Sequence, residues 1–225
     1  MKVLALQTST LAGGAALLDG ARLVGQYTLD IRVTHSERLL VAVDRLLADA
    51  GWRAAELDGI AVAVGPGSFT GLRIGVSTAK GLGLALGLPI APVPTLDALA
   101  SGLPFAAIPV VPVLDARKGE VYASCYRWRD GEMHREWEYL AVPPTELARR
   151  LTEPVVTCGD GAASVLSPFA RIAPAARQLP SPACVAELGH ALLASERGVS
   201  AAELSPIYLR PSEAELRARG AGVLA

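Results

Sequence analysis

The chain has 225 residues, of which 51% are hydrophobic and 5% aromatic, and its formal net charge is −1 at pH 7. A chain of this length and composition can bury a large aliphatic core, which excludes disordered and fibrous proteins and leaves one or two domains open. Its 21 Lys and Arg residues are balanced by 22 Asp and Glu residues. This balance argues against strong direct binding of nucleic acid.

Membrane segments and metal centres are also disfavoured by the sequence. No apolar run approaches the roughly 18 residues that a membrane span needs, so we predict a cytoplasmic protein with no membrane contact. The three cysteines include no CxxC pair, and His35, His134 and His190 form neither an HxxxH nor an HExxH motif. The sequence therefore predicts neither a disulfide framework nor a protein-bound metal.

The chain begins with a pattern typical of a three-stranded meander followed by a helix. Apolar runs at 3–8, 15–18 and 23–29 are separated by glycine-containing turns, which predicts three strands. Apolar residues then recur at helical spacing from near His35 until Gly51, a residue that commonly ends helices. We therefore predict an amphipathic helix of about four turns after the meander.

A strand, a glycine-rich loop and a second helix come next. Residues 60–64 are continuously apolar, as in a strand that is buried on both faces. The loop GPGSFTG at 65–71 follows, and a helical pattern then continues to Gly87. A further strand at 89–93 and a short helix at 96–100 complete this half, so the pattern is that of an α/β lobe.

The second half repeats the plan of the first. Gly102 and Pro104 interrupt the chain, so we predict lobes over 1–103 and 104–225, with a last segment that can pack back on the first lobe. The second lobe is predicted to contain strands at 108–114, 121–128, toward Leu140 and at 155–158, and helices at 147–151 and 183–196. Two copies of this plan indicate two similar α/β lobes.

The loop at 65–71 admits two interpretations. Glycines between a buried strand and a helix N-terminus can expose backbone N–H groups to an anion. The loop nevertheless lacks the Gly-Lys-Ser/Thr end of a Walker loop, and Pro66 stands where a GxSxG nucleophile elbow has its first glycine. Anion binding at Gly65 and Gly67 and a plain tight turn both remain open.

Small residues recur every four positions along the second predicted helix. This small-residue stripe consists of Gly71, Gly75, Ala79, Gly83 and Gly87. Glycine inside a helix costs about 1 kcal/mol relative to alanine, so close packing along the stripe must offset that loss. The element packed there is either the chain's own sheet or a helix of another molecule.

Two aspartates follow apolar strands of the second lobe. Asp115 precedes a tight turn, and Asp160 lies between Gly159 and Gly161. A carboxylate at such a position can hold a magnesium-bound water, or it can stabilise the turn itself. Both interpretations remain open for both residues.

Six sequence blocks, spread over nearly the whole chain, carry a family resemblance. They are LALQTST at 4–10, HSERLL at 35–40, VGPGSFTGLRIGVSTAKGLGLALGLP at 64–89, LDARKGEVYAS at 114–124, CGDGA at 158–162 and PIYLR at 206–210. In this order they resemble the TsaB family, also called YeaZ, of the bacterial tRNA threonylcarbamoyladenosine system.

The resemblance implies both a fold and a role. The fold is the α/β, actin-like ATPase (ASKHA) fold, with two RNase H-like lobes that each have a mixed sheet and flanking helices. The role is that of a non-catalytic partner of the paralogue TsaD, which transfers a threonylcarbamoyl group to N6 of the adenosine next to the anticodon in tRNAs that read A-starting codons. The ATPase TsaE completes the assembly, tRNA is contacted indirectly through the complex, and a homodimer is expected when the chain is alone.

The resemblance also assigns an interface. In the TsaB family the two helices after the first meander form the dimer surface, which here contains the small-residue stripe and Leu39, Leu40 and Val43. On this basis we expect Gly75→Leu to weaken the mixed dimer while the monomer stays folded.

Two departures from catalytic relatives bear on activity. Gln7 stands where the family usually has Asp, and a neutral amide cannot supply a carboxylate's charge to Mg²⁺. The HxxxH pair of the catalytic paralogue is missing because Leu39 lies four residues after His35. We therefore expect no catalytic residue, no metal ligand and no cofactor beyond weak or vestigial ATP or ADP binding; an ATP-hydrolysing enzyme of the same fold is the alternative. The residues assigned to such a nucleotide site are Gly65, Gly67, Asp115 and Asp160.

Overall fold

Two β-sheets organise the chain, for which a computed structural model describes residues 1–30 and 35–210, with side chains given from residue 38 onward in the second range. The first sheet contains β1 (Lys2–Gln7), β2 (Ala12–Asp19), β3 (Arg22–Asp30), β4 (Gly59–Gly65) and β5 (Ile90–Pro94). Among the described residues the strand order is β3-β2-β1-β4-β5. The first three strands form the predicted antiparallel meander, and β4 and β5 run parallel to β1.

Two helices cover one face of this sheet, and a third follows its last strand. They are α1 (His35–Ala50), α2 (Phe69–Leu86) and α3 (Thr95–Ser101). The side chain of Ser68 caps α2 by accepting a hydrogen bond from the Gly71 N–H, and Gly87 ends the helix with φ 67°. Every residue of β4 is buried because helices pack on both faces of the first sheet.

The second sheet is built mainly from short strands. It contains β6 (Val110–Arg117), β7 (Glu120–Ala123), β8 (Tyr126–Arg129), β9 (Glu132–Arg135), β10 (Leu140–Val142), β11 (Val155–Cys158) and β12 (Ala170–Ile172), and α4 (Pro144–Arg150) packs against β7. The order is β10-β7-β6-β11-β12, and β8 pairs with β6 and β9. The single strand predicted at 121–128 is two strands, β7 and β8, which pair with β6 in one continuous antiparallel register and are interrupted at Ser124 and Cys125.

The last helix in the described part of the chain packs on the first lobe, whereas the predicted plan counted this helix in the second lobe, over 104–225, with a last segment that can pack back. α5 (Pro182–Ala194) packs across β1, β2, β4 and β5, where Val185 and Ala186 join the core. Gly189 approaches Ala61 so closely that no Cβ would fit. The apolar face of α5 is therefore buried by the first sheet, and the second lobe ends near residue 180.

Helix length and polarity show whether a helix could span a membrane. None of the helices in the part of the chain that the structure describes is both long enough and apolar enough to cross a bilayer.

Candidate functional site

A cleft of about 440 Å³ opens between the two lobes. Its walls are the β1–β2 turn, the loop before α2, the β6–β7 turn and residues 207–210. The fold brings Gly67, Asp115 and Asp160 together at this cleft. Gly65 does not line it: a Cβ there would lie 2.6 Å from the carbonyl oxygen of Ile207. Three of the four residues assigned to a nucleotide site therefore share one cavity.

The glycine-rich loop is held tightly against the β1–β2 turn. The Ser68 N–H donates to the Ser9 carbonyl oxygen at 2.7 Å, and the Gly71 N–H donates to the Ser68 hydroxyl at 3.3 Å. A Cβ at Gly67 would overlap the Ser9 carbonyl. Close packing thus accounts for Gly67, and these two backbone donors are engaged within the chain, which favours the tight-turn interpretation over an open anion site.

Gln7 is turned into the protein. Its side chain is fully buried, and its amide Nε2 donates to the Ser9 hydroxyl at 2.9 Å. The Gln7 Oε1 accepts from the Ser9 backbone N–H at 3.4 Å. Gln7 is therefore part of the β1–β2 turn and does not line the cleft.

The two aspartates stabilise the second wall of the cleft. Asp115 Oδ1 accepts from the Arg117 N–H at 2.7 Å, and its Oδ2 lies 3.2 Å from the Arg117 guanidinium. Asp160 Oδ1 accepts from the Asp115 N–H at 2.9 Å, and burial raises the pKa of the Asp160 carboxyl. These bonds favour the turn-stabilising interpretation of both residues.

A metal centre does not fit this donor set. Structural metal sites bring together several side-chain ligands, whereas the cleft offers two carboxylates that are already engaged. Within residues 1–30 and 35–210, no group of three or more His, Cys, Asp and Glu side chains is placed to hold an ion.

The small-residue stripe faces the chain's own sheet. A Cβ at Gly71 would overlap the Thr8 carbonyl oxygen, one at Gly75 would overlap Thr8 Oγ1, and one at Gly83 would lie 2.8 Å from Ile90 Cδ1. Ala79 is buried in the same core. The prediction that the stripe forms an intermolecular interface is therefore corrected: intramolecular packing explains it.

Some of the other predicted interface residues are buried in the core, and others are exposed. Leu39 and Val43 are only 4% and 5% exposed and belong to the core beneath α1, whereas Leu40 is 54% exposed. Gly87 is exposed, but as the residue that ends α2. Of the eight residues assigned to the interface, Leu40 and Gly87 reach solvent.

The outward side of α2 was not among the residues assigned to the interface from the sequence. Leu84 is 76% exposed, Gly81 and Ala85 beside it are exposed, and a Cβ at Gly81 would meet nothing within 4 Å. The signal was present, because Gly81 falls outside the four-residue repeat and so lies on another face of the helix. We use the name outer face for the exposed apolar residues of α1 and α2: Leu40 and Val41 near the start of α1, and Gly81, Leu84 and Ala85 near the end of α2.

Known proteins resemble this chain over nearly its whole length. The tRNA threonylcarbamoyladenosine biosynthesis protein TsaB of Bacillus subtilis is 33% identical over 96% of this chain and 97% of its own length. YeaZ from Pseudomonas aeruginosa has the same fold, with a TM-score of 0.82 and 33% identity over 92% of this chain and 99% of that one.

A distant structure extends the fold comparison. The activator of 2-hydroxyisocaproyl-CoA dehydratase from Clostridium difficile, solved with bound ADPNP, aligns over 92% of this chain and 100% of its own, with a TM-score of 0.53 and 11% identity. The two-lobed actin-like fold expected from the sequence is thereby confirmed. A family model described as TsaD, the tRNA N6-adenosine threonylcarbamoyltransferase, matches residues 31–149. Together with the near full-length relatives, this match shows that the chain belongs to the TsaB (YeaZ) family of tRNA threonylcarbamoyladenosine biosynthesis proteins.

Proposed function

We propose that the chain serves tRNA threonylcarbamoyladenosine biosynthesis as a non-catalytic binding subunit that pairs with a TsaD-type transferase. The outer face of α1 and α2 is the observation that carries this proposal. The remaining parts of the expected assembly, TsaE and a tRNA contacted through the complex, rest on the family resemblance.

The outer face has the composition of a protein-binding surface. Leu40, Val41 and Leu84 are 54%, 66% and 76% exposed, although large apolar side chains are usually buried. Gly81 and Ala85 beside Leu84 leave room for a partner's backbone or helix to approach closely. Apolar surface of this kind on neighbouring helices favours burial against another protein.

The cleft supports a binding role more than a catalytic one. The Gln7 amide is neutral and paired with Ser9, and the carboxylates of Asp115 and Asp160 hold the β6–β7 turn. Burial raises the pKa of the Cys125 and Cys158 thiols to about 12, so neither supplies a thiolate nucleophile near neutral pH. These engaged groups leave little free charge for phosphoryl or acyl transfer.

Gly81→Arg is expected to weaken the complex with a TsaD-type partner at least roughly tenfold while the monomer stays folded. The new side chain meets open space in the free chain but would occupy the space that a docked helix needs. Light scattering of the mixed proteins and calorimetric titration would measure the loss, and thermal melting would check the fold. The same variant should stay at monomer mass when isolated, whereas the parent is expected to form a homodimer.

Ala191→Arg is the matched control, because Ala191 is exposed on α5 at the opposite face of the first sheet. It adds the same charge and should leave the complex intact. An undiminished complex with both Gly81→Arg and Leu84→Arg would contradict the proposed interface. Gly75→Leu is not a suitable test, since its overlap with Thr8 would destabilise the monomer itself.

A nucleotide-using enzyme is the second candidate, favoured by the size of the cleft and by Arg117 and Lys118 in its wall. We expect calorimetric titration of the isolated chain with Mg-ATP to show no binding heat up to millimolar ligand, because Gln7 supplies no charge to the metal. Micromolar binding that is lost in Asp115→Ala would favour the enzyme instead.

A further inference from the structure

A short segment after α5 lines one wall of the cleft and contacts both lobes. We name residues 204–210 the strap. Its first part is fixed to the first lobe, where Leu204 lies in the core and the Ile207 N–H donates to the Val64 carbonyl oxygen at 2.7 Å. The Tyr208 ring then packs on Phe69 of α2, with 5.1 Å between ring centroids. The Arg73 guanidinium covers Phe69 at 3.9 Å from its ring centroid.

The end of the strap is fixed to the second lobe. Arg210 Nη1 lies 2.6 Å from Glu120 Oε2, and both side chains are partly shielded from water. The same nitrogen is 3.5 Å from the Ala116 carbonyl oxygen. Glu120 begins β7 directly after the β6–β7 turn. The strap is seven residues long, and it contacts the first lobe at its start and the second lobe at its end. Its residues Ile207, Tyr208 and Arg210 form one wall of the cavity.

The lobes are also joined at α3, which we name the hinge. Asp97 lies on α3, which packs against both sheets, and its Oδ1 accepts from the Tyr126 hydroxyl at 2.6 Å. The same oxygen accepts from the Tyr139 hydroxyl at 2.7 Å. Two-lobed proteins open by rotation about a few hinge residues, and contacts that cross the cleft oppose that rotation.

We propose that the strap is a latch: its Arg210–Glu120 contact, together with the Asp97 hinge, holds the lobes at one angle, and the cleft opens only when Arg210 is released. The cleft is then closed on one side by the chain itself. This inference concerns motion within one chain and does not depend on the proposed partner.

Distances between spin labels on the two lobes test the latch. Ala191→Cys on α5 and Ala163→Cys beside Asp160 are exposed positions on different lobes, and Cys184→Ala removes a partly accessible native thiol. The parent, diluted with unlabelled chain so that only distances within one molecule are read even in a homodimer, should give a single narrow distance distribution. Arg210→Ala should broaden it and add a second distance.

Exchanging the charges of Arg210 and Glu120 distinguishes loss of the latch from a general loss of structure. Arg210→Glu combined with Glu120→Arg should restore the narrow distribution, because the ion pair is re-formed with reversed signs. Tyr208→Ala should broaden the distribution, whereas Tyr208→Phe keeps the ring on Phe69 and should not. A parent distribution that already contains two distances, or one that Arg210→Ala leaves unchanged, would overturn the proposal.

Hydrogen exchange gives an independent measurement. The Ile207 amide should exchange about fivefold faster in Arg210→Ala, while the amides of β4 keep their protection. Arg171→Ala, which removes an exposed arginine from β12, serves as the control and should change neither. Equal exchange at Ile207 in Arg210→Ala and in the control would count against the latch, and none of these results bears on complex formation.

Discussion

Replacing Gly71 with alanine is expected to lower the free energy of unfolding by about 2–4 kcal/mol. The added Cβ would overlap the carbonyl oxygen of Thr8, which is backbone and cannot rotate away as a flexible side chain can. The Thr8 hydroxyl also donates to the Gly71 carbonyl oxygen at 2.8 Å, so a displacement of α2 would break that buried bond. Urea denaturation measures the change directly as a lower midpoint.

Gly81→Ala is the control for this prediction. Gly81 lies on the same helix, but a Cβ there meets no neighbour within 4 Å. Removing a helix glycine without a clash should raise the free energy of unfolding by up to about 1 kcal/mol. The two glycine substitutions should therefore act in opposite directions. Equal stability of Gly71→Ala and the parent would refute the packing of α2 on the β1–β2 turn.

The small-residue stripe shows what spacing can and cannot predict. A repeat of four identifies one side of a helix, so the sequence indicated correctly that something packs close to Gly71 and Gly75. It does not say what that element is. Thr8 fills the space, with its carbonyl oxygen at Gly71 and its hydroxyl at Gly75, and it lies over 60 residues earlier in the chain. Only the assembled sheet decides whether the stripe faces inward or outward.

The assignment of α5 to the wrong lobe has a similar cause. Its limits were predicted well, because Ser181 caps it and Pro182 follows, as helix starts often do. Its apolar residues would suit the face of either sheet. The contact of Gly189 with Ala61 joins residues more than 120 positions apart, and no local pattern encodes it.

The cleft was partly predictable for a physical reason. Asp115 lies near the end of β6 and Asp160 follows β11, and these strands are parallel neighbours, so their ends meet at one edge of the sheet. The bonding of Gln7 was not predictable, because whether its amide faces the cleft or Ser9 depends on side-chain rotation within the turn.

Asp97→Ala is expected to cost about 2–4 kcal/mol of folding free energy, since one carboxylate oxygen serves two tyrosine hydroxyls. Tyr126 is only 2% exposed, so its hydroxyl would be left without a water partner. Tyr126→Phe and Tyr139→Phe should each cost about 1 kcal/mol. Once Asp97 is absent, either tyrosine substitution should cost less, because the three groups act as one network. Additive losses in this double-mutant cycle would show that the network does not form.

The pH dependence of the free energy of unfolding tests whether this network stabilises the fold. Burial, followed by the charge of Asp97, raises the pKa of Tyr126 and Tyr139 above their ordinary value of 10. The folded chain therefore keeps protons that the unfolded chain releases above about pH 10, so the network's contribution is complete below that pH and declines as pH rises. Urea midpoints of the parent should begin to fall near pH 9, where the unfolded cysteines lose protons that the buried Cys125 and Cys158 thiols keep. They should fall more steeply above about pH 10, where the unfolded tyrosines titrate. Tyr126→Phe removes one of the tyrosine hydroxyls whose pKa is raised and should flatten the part of the decline above about pH 10.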